Sequence, residues 1–163
     1  MSHSTSHIRT ERLWLREIDE SDTATVVRLR SDPDVYRYFK NPHKLTEEEH
    51  ISWYRNRYLP DANRTDWIAI DDENGSVVGL FGGCLVYGGA VELSYLLDNS
   101  HKKMGYAKEA IESVMAYMGG NPDIKGFTVT VHKDNLDSVH FIRQLLFREM
   151  KIDGDFVKYW KPV

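Results

Sequence analysis

This chain has a single cysteine, no excess of positive charge and no long apolar run, and each of these features argues against a class of protein. The 163 residues include one cysteine, Cys84, which cannot form an internal disulfide, so we expect a reducing, cytoplasmic setting. No apolar run approaches the roughly 20 residues that a membrane helix needs. Residues 1–7 are polar and lack the apolar segment of a secretory signal peptide. The sequence therefore predicts a cytoplasmic protein with no membrane partner.

The charge balance argues against nucleic acid as a partner. Twenty-one Lys and Arg residues against 25 Asp and Glu give a net charge of -4, so the chain has no basic surplus to neutralise phosphates.

The seven histidines do not follow the spacing of a known zinc motif, so no metal is expected. The length and the 41% hydrophobic content fit a single globular domain spanning residues 1–163.

Hydrophobic periodicity predicts an alternating order of strands and helices. Strands are predicted over residues 8–18, 66–71, 76–87, 91–97, 127–131, 147–152 and 156–160. Helical segments are predicted up to Arg30, over 35–39, from Thr46 to before Pro60, over 107–118 and over 134–146. The fold class is therefore α/β, a mixed sheet of about seven strands with about four helices on both faces. The fourth and fifth strands flank a crossover helix and must be parallel.

A basic, glycine-containing loop between strand 91–97 and helix 107–118 is the most informative segment. Such a loop leads into a helix N-terminus, whose free N–H groups and partial positive charge favour an anion such as pyrophosphate. Gly105 allows a ligand to approach the backbone closely. The alternative is an ordinary solvated loop that happens to be basic.

The loop sequence, Lys102 to Ala107, resembles the [Q/R]-x-x-G-x-[G/A] signature of the GNAT superfamily of N-acetyltransferases, with Lys102 where Gln or Arg is usual. Glu92 to Leu97 resembles the fourth strand of that family. Asn135 and Ser138 resemble its N-x-x-S motif, and Leu146 stands where a glycine is usual. The opening residues 10–16 resemble the subgroup of ribosomal-protein alanine acetyltransferases, and other segments resemble acetyltransferases of nucleotide-linked amino sugars.

The resemblance implies a GNAT fold in which the fourth and fifth strands splay apart to bind acetyl-CoA. It implies acetyl transfer to a primary amine, either a protein N-terminus or a small amine such as an amino sugar. The alternative is a catalytically silent module that binds or senses CoA. The implied cofactor-binding residues are Leu96, Leu97, Lys102, Lys103, Met104, Gly105, Tyr106, Ala107 and Asn135.

Glu92 and Ser138 are the candidate catalytic residues. Glu92 would take the proton of the ammonium, and an ion-paired or exposed strand position is its alternative. Ser138 would protonate the departing thiolate or bind the cofactor, whereas Asn135 could simply cap the helix. Many relatives have a tyrosine where this chain has Ile142, so Ser138, Tyr95 or water would have to replace that acid.

Two further expectations concern the partners of the domain. Aromatic residues cluster in the early helices and suit an acceptor site, although each could instead belong to the core. The C-terminal hairpin ends in an exposed strand edge, so a homodimer is a further expectation.

Overall fold

The computed structural model describes residues 6–163, and its central element is a mixed sheet of eight strands. The strands are β1 (His7–Arg9), β2 (Leu13–Glu17), β3 (Arg64–Asp71), β4 (Val77–Val86), β5 (Ala90–Leu97), β6 (Gly126–His132), β7 (Arg148–Asp153) and β8 (Phe156–Pro162). The α-helices are α1 (Thr23–Arg30), α2 (Pro33–Tyr36), α3 (Glu47–Trp53), α4 (Tyr106–Gly119) and α5 (Leu136–Gln144). Residues 1–5, part of the polar N-terminal stretch considered above, lie outside the described residues.

The sheet opens between its two parallel strands. The spatial order is β1-β2-β3-β4-β5-β6-β8-β7, and among the described strands only β5 and β6 pair in parallel. Their pairing covers Ala90–Leu93 against Gly126–Val129 and then stops, although β5 runs on to Leu97 and β6 to His132. We call this opening the fork. The predicted splay of the fourth and fifth predicted strands is thereby confirmed.

Alternating side chains divide the core between the two faces of the sheet. On β3, Trp67 and Ala69 are buried with α4 and α5, whereas Ile68 and Ile70 pack with residues of α1 and of the segment after α3. This alternation is the period-2 pattern of a strand that is covered on both sides. We call the first side the α4 face and the second the α1 face. The expectation of helices on both faces is confirmed.

Several predicted elements differ in detail from the structure. The short helix predicted over 35–39 is α2, Pro33–Tyr36, because Asp32 caps it and Pro33 fits the first helical turn. The first predicted strand is split into β1 and β2, so the sheet has eight strands rather than about seven. A turn separates them, in which Thr10 N donates to the carbonyl of Leu13 and Leu13 N donates to Thr10 Oγ1. The helix predicted from Thr46 is confirmed with its capping box, in which Thr46 and Glu49 cap each other's N–H groups. It ends in one π-helical turn, Tyr54–Tyr58.

Leu146 explains why relatives favour glycine at the end of α5. Its φ of 69° is left-handed, a conformation that glycine adopts without strain. Phe147 N donates to the carbonyl of Ile142 and Leu146 N to that of Arg143, which together form a Schellman motif. Leu146 is also 74% exposed, so its side chain contributes little burial to offset the strain.

We expect Leu146→Gly to raise the free energy of unfolding by about 0.5–1 kcal/mol. A left-handed non-glycine residue costs roughly 1–2 kcal/mol, and the greater unfolded-state freedom of glycine cancels part of the gain. Thermal unfolding measures the change as a rise in melting temperature of about 1–4 °C.

Leu136→Gly is the matched control, because Leu136 is equally exposed (72%) but begins the same helix. A glycine there weakens the helix, so the melting temperature should fall. Equal losses of stability in the two variants would contradict the interpretation of Leu146.

Candidate active site

The fork exposes main-chain amides on β5. Asp98 N donates to the carbonyl of Val78 at 2.8 Å. This bond identifies which residues of β5 point their N–H groups toward β4 and which point them away. In that alternation the N–H of Leu96 points toward β4, whereas the N–H groups of Tyr95 and Leu97 point into the fork. Of the two residues expected to supply amides, Leu97 lies in the required orientation. Leu96 contributes its side chain to the cavity described below, and Tyr95 takes its place as an amide donor.

The loop before α4 presents a second set of free N–H groups. Lys103 (φ 62°) and Gly105 (φ 79°) are both left-handed, and they turn the chain into the helix. Within residues 6–163, no backbone carbonyl accepts from the N–H groups of Tyr106, Ala107 or Lys108; the first bond of this turn runs from Glu109 N to Gly105 O. Successive free N–H groups at a helix N-terminus bind anions. We call this segment, residues 102–108, the cradle.

Side chains around the cradle add positive charge at its rim. Lys102, Lys103 and Met104 are exposed, so the two ammonium groups are free to approach a bound phosphate. Tyr106 behaves differently, because its ring is 8% exposed and its hydroxyl donates to Asp71 Oδ2 at 2.8 Å. Tyr106 therefore offers its backbone N–H to a ligand, while its side chain anchors the helix to the sheet.

Arg12 holds the cradle in place. Its guanidinium donates to the carbonyl of Met104 and to Glu109 Oε1, both at 2.8 Å, and stacks 4.3 Å from the centre of the Tyr106 ring. A Cβ on Gly105 would lie 3.3 Å from the Arg12 guanidinium, so the loop and the arginine are in close contact. The β1–β2 turn is thus tied to the start of α4.

A buried carboxylate fixes the other end of the cradle. Asp98 is mostly buried, which alone would raise its pKa, but hydrogen bonds from Ser100, His101 and Arg28 lower the pKa to about 2. His101 Nδ1 lies 2.8 Å from Asp98, and its Nε2 lies 3.0 Å from Ser76 Oγ. These contacts make His101 a structural residue of the loop.

A cavity of about 290 Å³ lies at the fork on the α1 face. Residues of both parting strands contribute to its lining, including Glu92, Ser94, Leu96 and Thr130. The Glu92 side chain is partly buried and has no hydrogen-bond or ion-pair partner within residues 6–163. Thr128 lies opposite Glu92 in the parallel ladder, and its buried Oγ1 also lacks a hydrogen-bond partner. The ion-paired alternative for Glu92 is therefore not what the structure contains.

Tyr95 and Ser138 face each other at the fork on the α4 face. The Tyr95 hydroxyl and Ser138 Oγ are joined by a short hydrogen bond, and the Tyr95 ring packs edge-on against Phe141 at 5.3 Å. Burial raises the pKa of Tyr95 to about 12, although the Ser138 bond opposes the shift. The phenol therefore keeps its proton at neutral pH. Ile142, at the position where relatives have a tyrosine, is fully buried in the core.

Asn135 has a structural role that leaves one group free. Its Oδ1 accepts from Ser138 N at 3.4 Å, which makes Asn135 the N-cap of α5. Its Nδ2 has no hydrogen-bond partner within the described residues, so this group remains available to a ligand in the fork.

Neither a metal centre nor a membrane anchor is found in the described part of the chain. Residues 6–163 contain no group of three His, Cys, Asp or Glu side chains able to hold a metal ion. No helix among the same residues is long and apolar enough to cross a bilayer.

A family comparison agrees with this arrangement of fork and cradle. Residues 12–148 match the model of the acetyltransferase (GNAT) domain. The chain belongs to the GNAT acetyltransferase family. GNAT enzymes use acetyl-CoA, so this protein is an acetyl-CoA-dependent N-acetyltransferase.

Relatives of this GNAT enzyme support the assignment. An uncharacterised N-acetyltransferase from Bacillus licheniformis, p20, is 24% identical over 91% of this chain and 86% of its own. A spermidine N-acetyltransferase from Vibrio cholerae, solved with CoA and spermine, superposes with a TM-score of 0.81 at 18% identity, covering 94% of this chain and 96% of that one. RimL, a ribosomal alpha-N-protein acetyltransferase solved with CoA, gives 0.76 at 18% identity, covering 97% and 98%.

The described residues fit acetyl-CoA. The cradle supplies free N–H groups and two lysines for a pyrophosphate, and the fork supplies the amides of Tyr95 and Leu97 for an extended chain. Most residues expected from the sequence lie in one of these two places. Arg12 was missed, because a charged strand-end residue carries no local signal of a contact 92 positions away.

We expect Gly105→Ala in this GNAT enzyme to weaken the binding of CoA by about 10-fold. An alanine at φ 79° is strained by about 1–2 kcal/mol. Relief of this strain would change the loop conformation and turn its N–H groups away from the bound CoA, which weakens binding by the corresponding factor. Isothermal titration with CoA measures the effect.

Gly88→Ala is the matched control, because Gly88 has a φ of 85°, sits in the β4–β5 turn and has no atom within 4 Å of a built Cβ. It should lose similar stability and keep its affinity for CoA. A Gly105→Ala variant that binds CoA as tightly as Gly88→Ala would remove the cradle from the binding site.

Proposed function

We propose that this enzyme moves the acetyl group of acetyl-CoA to a small primary amine, with Glu92 as the base and Tyr95 as the acid. The observation that carries the proposal is the position of these two groups. An unpaired carboxylate lies on the α1 face of the fork, and a protonated phenol lies on its α4 face. General acid–base catalysis of acetyl transfer uses a base that takes a proton from the amine and an acid that protonates the departing sulfur. Here the two groups lie on opposite faces of the fork.

The cradle and the fork hold the acetyl donor in this proposal. The N–H groups of Tyr106, Ala107 and Lys108, with Lys102 and Lys103, bind the pyrophosphate. The Leu97 and Tyr95 amides bind the extended arm and polarise the acetyl carbonyl. Met104 and Asn135 border the same path, the first with its exposed side chain and the second with its free amide nitrogen. When bound, acetyl-CoA supplies the thioester that the amine attacks.

Glu92 makes the amine reactive. A primary amine is an ammonium at neutral pH and must lose one proton before it attacks, so a carboxylate without a competing partner is needed at this point. Glu92 takes that proton directly or through a water that the unpartnered Thr128 hydroxyl would help to hold. The C–N bond then forms, the C–S bond breaks, and the nitrogen releases its second proton.

Tyr95 completes the reaction on the other face. It donates its proton to the departing sulfur and regains one through the Ser138 hydroxyl to which it is bonded. Ser138 is thus a positioning and relay residue in this proposal. The pair replaces the tyrosine that relatives have where this chain has Ile142.

The size of the cavity favours a small acceptor. Its volume of about 290 Å³ lies at the lower end of the range for ligand pockets. The structural neighbours include enzymes for spermidine and for a ribosomal protein, so the fold itself accommodates both kinds of amine.

We expect Glu92→Gln to lower kcat by about 10²- to 10³-fold, because the amide cannot take the proton of the ammonium. The affinity for CoA, measured by titration, should be unchanged, since the Glu92 side chain belongs neither to the cradle nor to the backbone amides that bind the donor. Release of free CoA thiol during turnover gives kcat.

Glu112→Gln serves as the control, because Glu112 is exposed in the middle of α4. It should keep wild-type turnover. If Glu92→Gln also retained full turnover, Glu92 would not be the base. If the wild type bound CoA but acetylated no amine, the proposed reaction itself would be wrong.

We expect Tyr95→Phe to lower kcat by about 10- to 10²-fold while its ring keeps its packing against Phe141. An acid with a pKa of about 12 stays protonated throughout the usual pH range, so wild-type kcat should show no alkaline fall below pH 10. A pH profile from 6 to 10 tests this directly.

Tyr87→Phe is the control for this variant, since Tyr87 is fully exposed in the β4–β5 turn. Ser138→Ala should cause a smaller loss than Tyr95→Phe. An alkaline fall in wild-type kcat that disappears in Tyr95→Phe would contradict the raised pKa of Tyr95. An unchanged kcat in Tyr95→Phe would exclude Tyr95 as the acid.

A further inference from the structure

An arginine without an acidic partner lies in the acceptor region. Arg30 ends α1, and it lines both the fork cavity and a second cavity of about 340 Å³ on the α1 face. The two cavities also share Asp66 and Leu80. The Arg30 guanidinium is therefore available to a ligand from either side.

Asp66 attracts Arg30 through its charge but forms no ion pair with it. It is 2% exposed and accepts two hydrogen bonds from Arg64, at 3.1 and 3.2 Å. Within residues 6–163 no carboxylate lies within ion-pair distance of Arg30, and the guanidinium carbon lies 5.7 Å from the centre of the Phe39 ring. Burial lowers the pKa of Arg30, but an arginine stays charged at neutral pH. A partly buried cation without a partner is costly, so it marks a site for an anion.

A second unpartnered polar group lies beside this arginine. His50 is 3% exposed and lines the second cavity, and its Nε2 has no hydrogen-bond partner in the part of the chain that the structure describes. Burial, followed by the charge of Arg30, lowers the pKa of His50, so the ring is neutral at pH 7 and can donate one hydrogen bond.

The fork cavity is lined by side chains of both charge signs. Among the described residues, Glu92 is the carboxylate of this cavity that has no ion pair, and Arg30 and Lys40 are its cations without one. An acceptor with one ammonium binds Glu92 through that group and still leaves Arg30 without a partner. A polyamine would bring a second positive charge into the same cavity, where Arg30 would repel it.

We propose that the acceptor is an amino acid, whose amine is directed to Glu92 and whose carboxylate is bound by Arg30. This inference rests on the proposed function, because it assigns the substrate class of the same site. The planar guanidinium matches a carboxylate in bidentate geometry. Lys40, exposed at the cavity wall and 5.6 Å from the Phe156 ring, adds a second positive charge near the entrance.

The experiment measures kcat/KM with matched acceptors. Each set contains an amino acid, its amide and its decarboxylated amine, and ω-amino acids of increasing length vary the spacing between amine and carboxylate. We expect the wild type to prefer the acid over the decarboxylated amine by about 10- to 100-fold, as for a hydrogen bond to a charged group. Spermidine and an amino-sugar phosphate complete the panel.

Arg30→Met should abolish this preference while leaving turnover of the decarboxylated amine close to wild type, and Arg30→Lys should restore part of it. Arg57→Met is the control, because Arg57 is exposed after α3 and lines neither cavity. It should keep the full preference. The wild-type preference stands as a test on its own if Arg30→Met fails to fold.

Several outcomes overturn the inference. Equal kcat/KM for acid and decarboxylated amine, or a preference for spermidine, would exclude a carboxylate site while leaving acetyl transfer intact. A preference for the amino-sugar phosphate over every amino acid would make the anion a phosphate and exclude the amino acid. An unchanged preference in Arg30→Met would remove Arg30 from the site. Absence of turnover with every amine, with CoA still bound, would overturn the proposed function as well.

Discussion

The early end of pairing between β5 and β6 is the constraint on which the site depends. The two strands share only the rows from Ala90 to Leu93, yet each remains fully paired on its other edge, β5 with β4 and β6 with β8. Their separation therefore leaves few main-chain groups without partners. Those few, on Tyr95 and Leu97, are the groups that a bound donor can use. The edge-on packing of Tyr95 against Phe141 fills the opening from the α4 face.

The fork also separates the two proton-transfer groups by face. Because side chains alternate along β5, Glu92 and Tyr95 fall on opposite sides of the sheet. The carboxylate faces the cavity beneath α1, and the phenol faces α5, where it contacts Ser138. In the proposed mechanism one strand therefore supplies the base from one face and the acid from the other, with the reacting carbon between them. In the same proposal Arg30 selects the acceptor by its charge.

Features encoded by neighbouring residues could be predicted from the sequence. The Thr46–Glu49 capping box and the crossover through α4 are local patterns, and both are present. The cradle was predicted from its glycine and lysines, since a loop before a helix carries its chemistry in consecutive residues. Features that join distant positions were not accessible. The contact of Arg12 with Met104 and the hydrogen bond between Tyr95 and Ser138 each join separate elements, and no local sequence pattern predicts them.

The sequence by itself determined the α/β order, the resemblance to GNAT enzymes and the loop that can bind a pyrophosphate, because these depend on periodicity and on short runs of residues. The tertiary structure decided which amides face the fork, that the Tyr106 hydroxyl is bound to Asp71, and that no carboxylate of residues 6–163 forms an ion pair with Arg30. Orientation and pairing depend on which elements pack together. Asp66 could have neutralised Arg30 on charge alone, but the folded chain pairs it with Arg64 instead.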